Sequence, residues 1–405
     1  MPSARYKSHS VLALMLFPLN VLQDVVKHLT QIMKKIFVLI LILTQISCSN
    51  EGNSTDDSCV YEGDLTLNTQ EEINDFVSSN YCKINGDLII GSTSALNQTN
   101  INSLVGLETL NSITGDLIII NNPNLSNLIG LQNINEVGNS LIVRFNNNLE
   151  SINELSNITT IAYGLYILYN ESLIDIKGLE SINILENVQI IGNASLINLE
   201  GLDNLTSINS IEILENNSLN SLEGLNSLVS TERYIVIKEN LSLSTIQNLE
   251  SLNSIGGDLH ILDNISLFSL NGLQNLTTIN GLELSGNDSL ESLEGLENIQ
   301  SIKSLSVSYN NSLTSLSNLN SLVAIGGDSN GKIDIHHNDV LSSLNGFENI
   351  NSFEGNIWIM DNDSLANLCD FQSVLVNGVY SSVNILFNYH NPSVDDIING
   401  INCSI

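Results

Sequence analysis

The sequence is poor in positive charge: 12 Lys and Arg stand against 44 Asp and Glu, for a formal net charge of −32. A field of that sign repels phosphate backbones and anionic headgroups, so nucleic-acid binding loses the interaction that normally supplies most of its affinity. Aromatic residues make up only 5% of the chain and charged residues only 14%, although 42% is hydrophobic. Any core is therefore aliphatic, built from a repeated vocabulary of Leu, Ile, Asn and Ser. No HExxH, phosphate loop or dinucleotide fingerprint occurs, which removes several common signatures of catalysis. There is no CxxC, and His390 is the one histidine near a cysteine, a poor basis for a zinc site.

What is present begins with residues 33–48, MKKIFVLILILTQISC. A Met, two lysines, an apolar run and a short polar step ending in Ser47 form a secretory signal peptide at 33–47. The run Ile36–Leu43 is about half the length that spans a bilayer. Residues 1–32 are expected to be an upstream extension outside the mature protein, with Met33 as the start. The end of the signal resembles a bacterial lipoprotein box, with Gln45 where that motif prefers an aliphatic residue. The resemblance implies cleavage before Cys48 and acylation of its thiol and amine, several chains giving stable anchoring. Residues 48–58 read as a disordered acidic tether, similar to the patch that accompanies export to the outer face in some Gram-negative groups. The expected location is the bacterial outer membrane, lipid-anchored, at the cell surface. Removing residues 1–47 takes away five basic residues and one acid, leaving 7 against 43, or −36.

Cysteine usage agrees with an exported chain. Of five cysteines, lipidation removes Cys48 and leaves an even set. Cys59 and Cys82 lie at the start of the body, Cys369 and Cys403 at its end, and these are the expected disulfide pairs.

The body is a repeat. The pattern LxIxxN recurs with strands starting at Leu117, Leu141, Leu165, Val188, Ile211, Ile235, Leu259, Leu282, Leu305, Ile333, Ile357 and Val383, after two less regular turns at Leu65 and Leu88. Five residues on stands an asparagine: Asn122, Asn146, Asn170, Asn193, Asn216, Asn240, Asn264, Asn287, Asn310, Asn338, Asn362 and Asn388. Most spacings are 23 or 24 residues, and a single register held this long specifies a solenoid of about 14 coils. Between strands apolar residues fall every third position, as in Leu196, Leu199, Leu202 and Leu205; this is not the α-helical period and suits extended and 3₁₀ corners. Gly106, Gly130, Gly178, Gly201, Gly224, Gly272, Gly295 and Gly346, with Asn248 and Asn318 in two coils, mark a corner expected to need left-handed backbone. Stacking the coils gives parallel sheet with neighbours about 4.8 Å apart, hence a rod about 60 Å long. The asparagine column is read as a structural ladder. Its NxS and NxT triplets, as at Asn193, Asn264 and Asn362, are by-products of the repeat and not glycosylation sites.

This pattern resembles leucine-rich repeats, and more closely the receptor L-domain family, over residues 59–405. The resemblance implies a right-handed, mainly β parallel solenoid with a binding role. It extends to a short N-terminal capping helix, opened by the capping box Thr69, Gln70, Glu71, Glu72. The chain departs from receptors in its single long array, so receptor signalling is not implied.

The expected function is a non-catalytic binding or adhesion protein that presents a rigid face to a protein or glycan, without cofactor or metal. Outward columns offer Phe145, Tyr166, Tyr169, Glu212, Lys238, His260 and Trp358 as the ligand-binding face, since exposed aromatics on a rigid sheet stack on sugars or anchor a partner. His336 and His337, adjacent at a strand end, are expected to point to opposite faces or into the bend, as a solvated pair that does not share a metal. The alternative is a β-helix lyase or hydrolase acting on polysaccharides through a row of Glu212, Glu239, Asp263 and Glu283.

Overall fold

The computed structural model describes residues 59–94, 98–327 and 331–405. The upstream extension, the signal, Cys48 and the tether to residue 58 lie outside the described residues.

A sixteen-stranded parallel sheet runs through the described chain. Two of its strands, Ser301–Ile302 and Ala324–Ile325, belong to a second column; the other fourteen form one column from Leu65–Leu67 to Gly378–Leu386. Fourteen rungs separated by thirteen turns make the parallel β-solenoid that the repeat predicts. Register is held from rung to rung: Leu117 pairs Leu141 and Ile119 pairs Val143, as Leu165 pairs Val188 and Ile167 pairs Ile190 further on, and one bulge interrupts it where Ser352–Met360 meets Gly378–Leu386. A slip of one residue would turn every apolar side chain out to water, so the alternation itself fixes the pairing.

The core is a column of Leu, Ile and Val with almost no accessible surface, and the fully buried aromatics Phe347, Phe353 and Phe371 gather near its C-terminal end. Each aliphatic side chain contributes about 1.5–3 kcal/mol on burial, but only with a coil above and below it. The three-residue step has a direct backbone cause. Leu202 N–H donates to Leu199, and Leu205 N–H to Leu202, at 3.1 and 3.0 Å, so each i→i+3 turn brings the next Leu inward.

The glycine corner is of two kinds, which corrects the uniform expectation. Gly130 sits at φ +123°, and a side chain there would run into the Leu104 carbonyl of the coil before it. Gly178, Asn248 and Asn318 instead lie in the 3₁₀ turns Lys177–Leu179, Gln247–Leu249 and Ser317–Leu319, without positive φ.

Helix α1, Gln70–Phe76, carries the expected capping box at Thr69 and Glu72 and buries Ile73 and Phe76. It forms the arc of the first turn: the Gln70 side chain accepts hydrogen bonds from Asn102 and Ser103 N–H in the next coil. A helical lid lies instead at the opposite end, where α2 (Gln372–Asn377) packs against α3 (Val394–Asn399) and Ile397 is fully buried. That lid has no signature in the repeat, because it begins where the repeat stops. Disulfides Cys59–Cys82 and Cys369–Cys403 join the pairs expected, with Cα–Cα distances of 5.2 and 5.0 Å. Among the described residues no helix is long and apolar enough to cross a membrane.

Candidate functional site

The asparagine ladder and the surface beside it are made by one backbone device. In each coil from the third onward the residue before the ladder asparagine is left-handed: φ lies between 53° and 60° at Asn121, Phe145, Tyr169, Glu215, Glu239, Asp263, Tyr309, His337, Asp361 and Phe387, and is 70° at Gly192 and Gly286. This bend swings the next side chain inward. Asn146 Nδ2 then donates to the Ile119 carbonyl at 2.9 Å and to its own strand at Arg144, 3.1 Å. Its Oδ1 accepts from the N–H and Nδ2 of Asn122. The pattern repeats to Asn388, and the ladder asparagines from Asn122 to Asn362 are fully buried, including those in NxS and NxT triplets. The ladder has end pieces that the repeat pattern did not reveal: Thr99 Oγ1 donates to Asn122 Oδ1 at 2.6 Å, and Asn388 N–H and Nδ2 donate to Asn391 Oδ1. A second, exposed ladder also went unread, in which Asn133, Asn157, Asn204, Asn275 and Asn298 each donate to a carbonyl of the coil before.

The bend residue itself points out. With the two outward strand positions it forms three columns on the solvent face, and the seven residues expected there all lie on it. They do not meet in one place. Phe145 on the fourth rung and Trp358 on the thirteenth are about 43 Å apart at the sheet spacing.

One end of the face is aromatic. The rings of Phe145 and Tyr169 stack at 5.3 Å, and the Arg144 guanidinium lies 4.4 Å from the Phe145 centroid, a cation–π contact. Gly192 follows Tyr169 in the column, and a side chain there would strike the Tyr169 ring. Its absence opens a shallow groove lined by Tyr169, Glu171, Gly192, Glu215, Asn217 and Glu239. Burial raises the pKa of Tyr169, helped by the charge of Glu215 and opposed by Arg144. Tyr166 stands three residues before Tyr169 on the same rung, its ring packed over Gly164; burial raises its pKa strongly, with smaller contributions from Tyr163, Asp116 and Glu212. Tyr234, one residue ahead of its strand and so outside the outward columns, donates to Glu212 at 2.8 Å.

The middle is acidic, with Glu215, Glu239 and Asp263 on successive bends. Lys238 pairs with Glu239 at 2.8 Å. Burial raises the Asp263 pKa, Lys238 partly offsetting it and Glu239 adding to it. His260 Nδ1 lies 2.7 Å from Glu283. The proposed row of Glu212, Glu239, Asp263 and Glu283 is thus split between two columns, with Glu212 and Glu283 each engaged by a neighbour.

At the far end two adjacent histidines share the outer face. The left-handed bend at His337 turns its ring back onto the outer face, and Nδ1 of His336 and Nδ1 of His337 lie 3.1 Å apart. Tyr309 stacks on His337 at 4.6 Å, and burial lowers the His336 pKa, Asp334 opposing. Among the described residues no three His, Cys, Asp or Glu side chains form a metal-holding group. No family model matches the sequence, and no curated protein matches it either.

Proposed function

We propose that the chain is a lipid-anchored display protein of the bacterial outer membrane that binds a glycan or a protein through the solvent face of its long sheet, without catalysis. The observation that carries the binding role is the occupancy of the left-handed bend. A left-handed backbone costs a residue other than Gly, and to a lesser degree Asn and Asp, roughly 1–2 kcal/mol, yet Phe, Tyr, Glu and His hold this bend in coil after coil. Glycine would relieve that cost and occurs there only twice. Side chains kept against local stability, pointing to water, serve something outside the fold.

The groove beside Phe145 and Tyr169 favours a glycan. A stacked aromatic edge offers an apolar platform for a sugar ring, and Glu171, Glu215 and Glu239 around it accept hydrogen bonds from hydroxyls. The receptor L-domain resemblance supports a binding role of the same kind. The anchor rests on residues 33–48, where a signal ends in a small residue and the odd cysteine.

A glycan and protein array probed with wild type, Tyr169→Asn and Glu215→Asn tests the face. Capture by wild type and loss in both variants is expected; equal capture by all three removes the groove from the account. For the anchor, the N-terminal peptide should begin at triacyl- or diacyl-Cys48 by mass spectrometry, and an unmodified Cys48 refutes it. Protease shaving of intact cells should digest the body, whereas protection would place it in the periplasm.

A further inference from the structure

We infer that the last rung, Gly378–Leu386, is a pairing edge through which two copies of this chain join end to end, continuing one sheet across a two-fold axis. The two ends of the long sheet are built differently. The first rung, Leu65–Leu67, is three residues long, flanked by Glu62 and Asp64 and followed by Glu71 and Glu72. A short strand among charges is how an edge is kept from pairing with another chain. The last rung is nine residues long and pairs on one side only, with Ser352–Met360. Among the described residues nothing pairs with its other side, so its outward N–H and C=O groups face solvent as a template for another strand.

Its side chains do not guard it. No Asp, Glu, Lys or Arg lies between Asp370 and Asp395, in a chain of net charge −32. Val379 is 72% exposed, Phe387 72% and Tyr389 66%, among the most exposed large apolar residues of the described chain. The inward positions Val383 and Ile385 are only partly buried, whereas Ile357 and Ile359 one rung earlier are completely buried. Helix α3 covers the middle of this end through Ile397 and leaves the strand open.

The charge distribution selects the occupant. Two chains this acidic repel wherever their surfaces carry carboxylates, and the Gly378–Leu386 strand is a place where they can approach without placing like charges together. A basic partner would be drawn to the carboxylate columns, not to an uncharged strand. The strand offers backbone groups and apolar side chains, both of which match themselves in an antiparallel pairing, the isologous contact of a two-fold dimer.

The test is the mass of the full chain, purified in detergent and corrected for bound detergent, across about a hundredfold range of concentration, since dimers obey mass action. Wild type should be dimeric at the upper end, and added NaCl should tighten the dimer by screening the repulsion. Val379→Lys with Ser381→Lys, both at exposed positions, should weaken association by about tenfold or more through like charges facing across the strands, with an unchanged melting curve. Ser381→Cys, near the middle of the strand and hence near the axis, should yield a disulfide-linked dimer under mild oxidation, while Asn217→Cys in the body should not. A wild type monomeric throughout the range overturns the inference. So does a dimer that survives the double lysine variant, or one that Asn217→Cys cross-links as readily as Ser381→Cys.

Discussion

Two columns run side by side along the rod, one residue apart in sequence, and follow opposite rules. At positions 146, 170, 193 and 216 every residue is Asn and fully buried; at 145, 169, 192 and 215 stand Phe, Tyr, Gly and Glu, on the outer face. The same left-handed bend produces both. It aims the asparagine at the orphaned backbone groups of its own coil and the one before, which only an amide of that length satisfies, and it leaves the preceding side chain outside the core. The contrast teaches that the fold's demands end abruptly at the bend, and that chemical variety is free to begin there.

The sharpest way to break this contrast is to cut the ladder in its middle. Asn216→Ala removes the Nδ2 bonds to Asn240, Ile190 and Leu214 and the Oδ1 acceptor used by Asn193. Each buried group left unsatisfied costs about 1–3 kcal/mol, so a loss of about 4 kcal/mol or more is expected in chemical denaturation. A loss below about 1 kcal/mol would deny the ladder its structural role.

Opening the end staples comes next. Their sequence separations of 23 and 34 residues correspond to about 3–4 kcal/mol each from the constraint on the unfolded chain. Hydrogen exchange after reduction should show fraying confined to the ends, with the middle rungs protected as before; uniform loss of protection would contradict nearest-neighbour stability.

The bend column should respond in the opposite sense. Tyr169→Asn and Glu215→Asn are expected to leave stability unchanged or raise it by up to about 1 kcal/mol, as the backbone strain is relieved, while capture of ligand falls. Trp358→Ala, eight rungs beyond Tyr169, should leave capture at the aromatic groove intact. Loss of capture there would mean a ligand long enough to span the face.

The smallest effect is on pH dependence. Burial lowers the His336 pKa in the folded protein, so the unfolded chain takes up the proton first as pH falls. This contribution to stability is complete above the unfolded histidine value of about 6.5 and is lost as pH drops through that value toward the lower folded one. His336→Gln should flatten the unfolding midpoint across that window, and an unaltered slope would show that His336 is solvated as freely when folded.

Much of this was legible in the sequence because a period reports on whatever every coil shares. The strand starts, the ladder asparagines from Asn122 to Asn388 and the every-third Leu all answer to burial, which acts alike in each coil. The disulfides followed from the number and placement of the cysteines, with export of the chain as the expectation behind them. Most of what escaped happens once, as the end pieces Thr99 and Asn391 and the C-terminal lid of α2 and α3 do; the exposed ladder from Asn133 to Asn298 repeats but is interrupted, with Ser181 and Ser251 making the bond in two coils. The binding face was legible as a set of columns but not as a site, since which neighbours stack depends on gaps such as Gly192 that matter only once coils are superposed.

The most direct test joins both columns in one protein. Phe145, Tyr169, Glu215 and Glu239 are replaced together by Asn, and the variant's denaturation midpoint and array binding are measured beside those of wild type. The account predicts a midpoint equal to or above that of wild type, with capture lost. A variant that unfolds would show that these side chains belong to the fold, and a stable one that captures as before would show that binding lies elsewhere.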